Sequence, residues 1–303
     1  MERIRTMKAL IAAAKACGPV PTAVAVPHDE ATVLAVADGA RNGLLEPILF
    51  GDEAIIREQL EKQGLDPASF RIVPADGADR AVSAAIAAVR GGEARLLMKG
   101  KVSTPAILRA ALHKETGIGR GRLASYIAVC EVPGLDRLIL NTDGGLNIAP
   151  DLREKTDIVK NAVEVARALG VTTPRVAVLA AVEDVNPAMQ ATIDAACLSK
   201  MADRGVFGDA LVDGPLALDN ILSDASAGKK GIKSEVAGRA DVIVSPTIEV
   251  GNALGKSMTY LAHSTNAGIV VGATVPMIMP SRAGTAEAKI AALAVGVLLA
   301  AAE

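Results

Sequence analysis

"PTAVAVPHDEATVLAVADGARNGLLEPILFGDEAIIREQLEKQG", residues 21–64, alternates between two kinds of hydrophobic pattern. "PTAVAVP" and "EPILFGD" are short apolar runs of strand length, bounded by Pro, Gly and Asp. "DEATVLAVADGARNG" and "EAIIREQLEKQG" space their apolar residues three and four apart, as one face of a helix requires. The second of these helices ends at Gly64. Strand, helix, strand and helix in succession predict parallel strands joined by crossover helices, with helices covering the sheet.

The pattern continues outward from this stretch. "FRIVPAD" reads as a strand and "GADRAVSAAIAAVRGG" as a helix. "ARLLMKG" is the next strand and "STPAILRAALHK" the next helix. Upstream, "MERIRTMKALIAAAKACG" has basic residues before an apolar patch, as a signal peptide does. Lys15 limits that patch to six residues, shorter than the about 7–15 of a signal core, so an amphipathic first helix is expected.

Downstream the rhythm breaks. "RLASYIAVCEVPG" and "DRLILNTDGG" are strands separated by a short Pro-Gly turn, which predicts an antiparallel pair. The break marks a domain crossing. Beyond it "DLREKTDIVKNAVEVARALG" (151–170) is a helix that Asp151 can cap and Gly170 can end. "PRVAVLAA", "GDALVDG", "ADVIVSP" and "AGIVVGA" are further strands, with helices at 187–203 and 250–262. A last apolar helix starts near 286. If that helix returns to the first sheet, residues 1–133 and 275–303 make a discontinuous first α/β domain, and 134–274 make an inserted second one.

Composition narrows the function classes. Half of the 303 residues are hydrophobic but only 2% are aromatic, so Ala, Val, Leu and Ile must build the core. The 32 basic and 34 acidic residues leave a net charge of −2 without a basic run, which argues against nucleic-acid binding. Cys17, Cys130 and Cys197 are scattered and odd in number, as in a reducing compartment without disulfides. His28, His113 and His263 show no zinc-ligand spacing and are read as structural or exposed. "IAALAVGVLLAAA" (290–302) has 13 residues, too few for the about 20 of a membrane helix. A cytoplasmic protein with no membrane partner is expected.

Open parallel sheets bind ligands beyond the carboxyl ends of their strands. Lys99, Gly100 and Lys101 follow one such strand, with Ser103 and Thr104 opening the next helix. Asn141 and Asp143 follow another. Asp213 and Gly214 follow "ALV". Glu249, Gly251, Asn252 and Lys256 come after "ADVIVSP", and Ser281 and Arg282 after "PMIMP". "MKGKVSTPAILR" combines a glycine, two lysines, two hydroxyls and a helix N-terminus, the ingredients of an anion site. The same stretch also reads as a plain helix start, with Ser103 or Thr104 as cap and the lysines in solvent. "PSRAGTAEAK" (280–289) has the same double reading, with Thr285 able to cap the last helix. Neither a P-loop nor a GxGxxG follows the first strand.

Together, "DGPLALDN" (213–220), "SEVAGRADVIVSPTIEVGN" (234–252) and "PSRAGTAEAK" (280–289) resemble the signatures of the phosphate acetyltransferase and phosphate butyryltransferase family, in order and spacing. "LLMKG", "NTDGGLN", "TDGGLNIAPDL" and "VNPAMQATIDAACLSKMADRG" look like the butyryl branch. The resemblance runs from about residue 95 to the end. It implies a two-domain, three-layer α/β/α fold with mostly parallel sheets, like that of isocitrate and isopropylmalate dehydrogenases, and a homodimer with its active cleft between domains. It implies transfer of a short-chain acyl group, butyryl over acetyl, between CoA and inorganic phosphate. Coenzyme A is then a substrate, and no metal or other cofactor is demanded.

Family residues carry over by motif. Ser281 and Arg282 match the Ser-Arg pair at the acyl-transfer centre, with Ser281 bonding the thiolate or carbonyl oxygen and Arg282 the phosphate. Arg109 matches a second phosphate or oxyanion cation, and Lys99 with Gly100 a phosphate cradle. Ser103, Thr104, Asn141, Asp213, Glu249 and Asn252 complete the expected substrate contacts. The acetyl branch carries an aspartate seven residues after the serine, where this chain has Ala288. The base is then Glu287 with an altered helix phase, Asp143, which reads as a turn former in "NTDGG" as easily as a catalytic group, or no carboxylate at all. Two other functions compete: a catalytically silent acyl-CoA-binding regulatory module, and a metal-dependent 2-hydroxy acid dehydrogenase of the related fold.

Overall fold

The computed structural model describes residues 2–280 and 285–302. Along the chain run α1 (Met7–Ala16), β1 (Val20–Ala25), α2 (Glu30–Arg41), β2 (Leu45–Gly51), α3 (Glu53–Lys62), β3 (Arg71–Pro74), α4 (Ala78–Arg90), β4 (Leu96–Lys99) and α5 (Thr104–Ala111). Then come β5 (Ser125–Glu131), β6 (Leu138–Thr142), α6 (Leu152–Ala168), β7 (Arg175–Leu179), α7 (Gln190–Asp203), β8 (Leu211–Leu216), α8 (Leu218–Leu222), α9 (Asp224–Lys229), β9 (Val242–Val244) and α10 (Ile248–Tyr260). The chain closes with β10 (Thr265–Val271), β11 (Met277–Ile278) and α11 (Ala286–Ala302). The mixed α/β class with mostly parallel strands is as expected from the alternating pattern. The short helices α8 and α9 were not anticipated, because five or six residues carry too little periodicity to register.

The chain forms two compact units. One comprises Met7–Arg122 and Ala267–Glu303, the other Met1–Thr6 and Leu123–Asn266. In the 7–122 unit the strand order is β3-β2-β1-β4-β11-β10. β1 is parallel to β2 and β4, β2 to β3, and β11 to β4, while β10 and β11 are antiparallel. Strand order therefore reverses at β1: β2 and β3 lie on one side of it and β4 on the other. Such a reversal opens a crevice beyond the carboxyl ends of the two strands, here β1 and β4. α11 is buried from Ala291 to Ala300 and packs on α1. A run apolar on all sides belongs in a core.

In the 123–266 unit the order is β5-β6-β9-β7-β8. β5 and β6 pair antiparallel, as their turn predicts, and the other neighbours are parallel. α6 starts on the expected cap. The Asp151 carboxylate accepts from Glu154 N at 2.8 Å, and the Glu154 carboxylate accepts from Asp151 N at 2.9 Å. Among the described residues no helix is long and apolar enough to cross a membrane.

Candidate functional site

Two carboxyl-end regions gather most of the residues singled out in the sequence. The first is the β1/β4 crevice. Gly100 N donates to Ala25 O at 2.8 Å and Lys101 N to Val26 O at 2.7 Å, which staples the two strand ends together. A Cβ on Gly100 would stand 2.2 Å from Val26 O, so only glycine allows this approach. Lys99 folds its ammonium onto its own loop, donating to Gly100 O at 3.2 Å and Val102 O at 3.1 Å. Lys101 is exposed. The Ser103 hydroxyl accepts from Ala106 N at 3.3 Å and caps α5, with Thr104 as first helical residue. Arg109 is exposed in the last turn of the same helix.

His28 lies three residues beyond β1, on the loop that borders this crevice, and its ring stands over the end of β2. Its Nε2 accepts from Asp52 N at 3.0 Å. A backbone N–H can only donate, so Nε2 carries no proton and the proton of the neutral ring sits on Nδ1. The imidazole lies against Gly51, where a Cβ would come within 2.4 Å of Nε2. Burial lowers the His28 pKa below 6.5; Asp52 raises it, Lys101 lowers it and Asp29 raises it, in decreasing order. The sequence left His28 aside because its partner is 24 residues away. The one local signal was its place directly after a strand.

The second region is the loop 142–147 after β6. Asp143 is 2% exposed. Its Oδ1 accepts from Gly145 N and Leu146 N, both at 2.8 Å. Its Oδ2 accepts from Tyr126 N at 3.0 Å and Asn147 Nδ2 at 2.7 Å. These four bonds engage the four lone-pair positions a carboxylate offers. Burial raises the Asp143 pKa against the pull of those bonds. Asn141 Nδ2 donates to Gly251 O at 2.8 Å, and Asn252 Nδ2 donates to Gly144 O at 3.0 Å, which ties the loop to α10. The backbones meet so closely that a Cβ on Gly144 would lie 2.6 Å from Gly251 C, and one on Gly251 2.5 Å from Asp143 O. Buried Asn141 Oδ1 and Ser245 Oγ have no hydrogen-bond partner among the described residues. The Tyr126 ring packs against Gly145, and burial pushes its phenol up to about 12.

Asp213 lies within β8, where its carboxylate accepts from Gly214 N at 2.8 Å and Ser199 Oγ at 3.5 Å. Two strands separate β8 from β6, a gap of roughly 14 Å at ~4.8 Å per strand. Glu249 is exposed in the first turn of α10, and a hydrogen bond from Thr247 lowers its pKa. Ser281 and Arg282 fall outside the described residues. Just beyond them, Thr285 Oγ1 accepts from Ala288 N at 3.1 Å and caps α11, and Glu287 is exposed.

Comparison with known proteins covers nearly the whole chain. Residues 77–297 match the family described as phosphate acetyl/butaryl transferase. The chain is 45% identical to phosphate butyryltransferase of Clostridium acetobutylicum over 278 residues, 92% of either chain. It is 41% identical to phosphate acetyltransferase of Rhizobium meliloti over 292 residues, 96% of this chain and 92% of the relative. Among solved structures it is similar to a branched-chain phosphotransacylase from Enterococcus faecalis V583, with a TM-score of 0.82 and 29% identity, covering 93% of this chain and 99% of that one. A 4-hydroxythreonine-4-phosphate dehydrogenase from Klebsiella pneumoniae, with a TM-score of 0.56 and 13% identity, shares the fold. With a family match over well over half of its length and relatives above 40% identity along more than nine-tenths of it, this chain belongs to the phosphate acetyl/butaryl transferase family.

Proposed function

We propose that the protein is an acyltransferase that moves a short-chain acyl group between coenzyme A and inorganic phosphate, with butyryl preferred to acetyl. The observation that carries this reading is the near full-length likeness to phosphate butyryltransferases and phosphate acetyltransferases. In the reaction a phosphate oxygen forms a bond to the thioester carbonyl carbon. The carbonyl oxygen becomes an oxyanion, the C–S bond then breaks, and the CoA thiolate leaves and takes up a proton. Cations must hold the phosphate and neutralise the oxyanion. In this reading Arg282 and Arg109 perform that task, Ser281 hydrogen-bonds the thiolate or carbonyl oxygen, and Gly100, Lys99, Ser103 and Thr104 frame the phosphate. The four bonds to Asp143 support a positioning role for it: it shapes loop 142–147, which Asn141 of β6 and Asn252 of α10 brace on either side. A thiol with a pKa of about 8.5 needs little help to ionise, so the leaving group does not require a carboxylate acid at position 288.

In this reading coenzyme A is a substrate, no metal or further cofactor is demanded, and the enzyme is a cytoplasmic homodimer. Apolar side chains left exposed on α10 and beside it support the dimer: Val250, Tyr260 and Leu261, with Ile148, whose carbonyl accepts from Ile248 N. Sedimentation of the purified protein at the monomer mass would remove that part. The activity is tested by following thiol release from acetyl- to hexanoyl-CoA with and without phosphate. Phosphate-dependent release, largest with butyryl-CoA, is the expected outcome. Acyl-CoA binding with no turnover would replace the enzyme by a regulatory module.

A further inference from the structure

We propose that His28 is a further ligand-binding residue of this enzyme, whose Nδ1–H donates to a phosphoryl oxygen at the β1/β4 crevice. The inference rests on the acyl-transfer reading above. Its geometry is specific. The bond from Asp52 N to Nε2 at 3.0 Å settles the tautomer and holds the ring plane, and Gly51 leaves the space for it. The ring therefore presents one N–H donor in a fixed direction, and among the described residues that donor has no partner. It does so over the end of β2, in the loop that follows β1 and forms one wall of the crevice where the strand order reverses, the place where sheets of this kind bind ligands, and the exposed cation Lys101 acts on it there.

The charged groups that surround His28 are accounted for. Asp29 and Asp52 are the two carboxylates that act on it. Asp29 spends its oxygens on Thr32 N at 3.0 Å and Thr32 Oγ1 at 2.9 Å, and Asp52 Oδ1 caps α3 by accepting from Ile55 N at 3.1 Å. Both are turned to the N-termini of helices, whose positive ends offset their charge. A ring needed only as a prop for Asp52 would be served by any acceptor at the Nε2 position. The proposal instead assigns a task to the other nitrogen.

Two substitutions separate these roles. His28→Gln can keep an acceptor near the Nε2 position and loses the Nδ1 donor. His28→Asn can keep a donor near Nδ1 and loses the Nε2 acceptor. The probes are inorganic phosphate and butyryl-CoA, with Tm measured on each variant. His28→Gln is expected to hold its Tm and to raise a substrate KM by about tenfold, the order of a lost hydrogen bond to a charged group. A rise in the phosphate KM assigns the oxygen to inorganic phosphate, and a rise in the acyl-CoA KM assigns it to the phosphates of coenzyme A. His28→Asn is expected to lower Tm and to raise that same KM less. His28→Gln with both KM values within about twofold of the parent's would overturn the proposal. A parent protein without phosphate-dependent thiol release would instead remove the acyl-transfer reading beneath it.

Discussion

The two carboxyl-end regions are built on opposite principles. In loop 142–147, polar side chains spend their hydrogen bonds on the protein itself. Asp143 takes four, and Asn141 and Asn252 each reach across to a backbone carbonyl of the other segment. At the β1/β4 crevice the backbone is stapled equally tightly, but Lys101 stands exposed, and on the adjoining loop His28 has one ring N–H without a partner among the described residues. One region spends its polar groups on its own rigidity, and the other leaves polar groups exposed on a rigid frame.

Removing the organiser of the rigid loop is the strongest test of this contrast. Asp143→Ala leaves three backbone donors and one amide without their acceptor. A loss on the order of 2–4 kcal/mol in denaturant unfolding is expected, after allowance for water reaching the exposed Gly145. If Asp143 were instead the base, stability would hold while kcat fell and its pH profile flattened. Next in size is Arg282→Ala, expected to lose at least ~100-fold in kcat/KM with an unchanged Tm, the order seen for a lost oxyanion donor. Parent-like activity would remove Arg282 from the chemistry.

Smaller effects sharpen the same comparison. Gly251→Ala forces a methyl against the Asp143 carbonyl and should cost about 1–3 kcal/mol of stability, because the facing atom is backbone. An unchanged midpoint would show that the loop is less tightly held than its contacts imply. The smallest effect concerns pH. The folded-state pKa of His28 lies below 6.5, so between that lowered value and 6.5 the unfolded chain binds more protons. Stability should therefore decline as pH falls through this window, and the slope should shrink in His28→Gln. Protonation also places a hydrogen on Nε2 opposite Asp52 N–H, which breaks that bond. An unchanged slope in the variant would mean that His28 does not titrate there.

Helix caps and strand runs were legible because their causes are local. Asp151 and Glu154 lie three residues apart, Thr285 caps the helix that follows it, and Ser103 caps α5. Local reasoning also saw both readings of "MKGKVSTPAILR"; the capped α5 and the exposed Lys101 match the plain helix start, while Lys99 turns back onto its own loop. Asp213 shows the limit. Its strand was recognised, but it sits inside β8, an edge strand, rather than beyond the strand's carboxyl end.

By itself, the amino-acid sequence determined the alternation of strands and helices, the aliphatic core, the antiparallel break at 122–145 and the likeness to a family. All of these follow from hydrophobic period, turn chemistry and motif order along the chain. Tertiary structure alone decided which polar atoms are spent and which are held ready. Asn141 meets Gly251 across 110 residues, and His28 meets Asp52 across 24. Hydrogen bonds act over about 3 Å in space whatever the separation in sequence, so no local pattern announces them. That is why Asp143 reads in the sequence as turn former or base alike, while the fold shows the four bonds it takes, and why His28 acquires a tautomer only once the strands are in order.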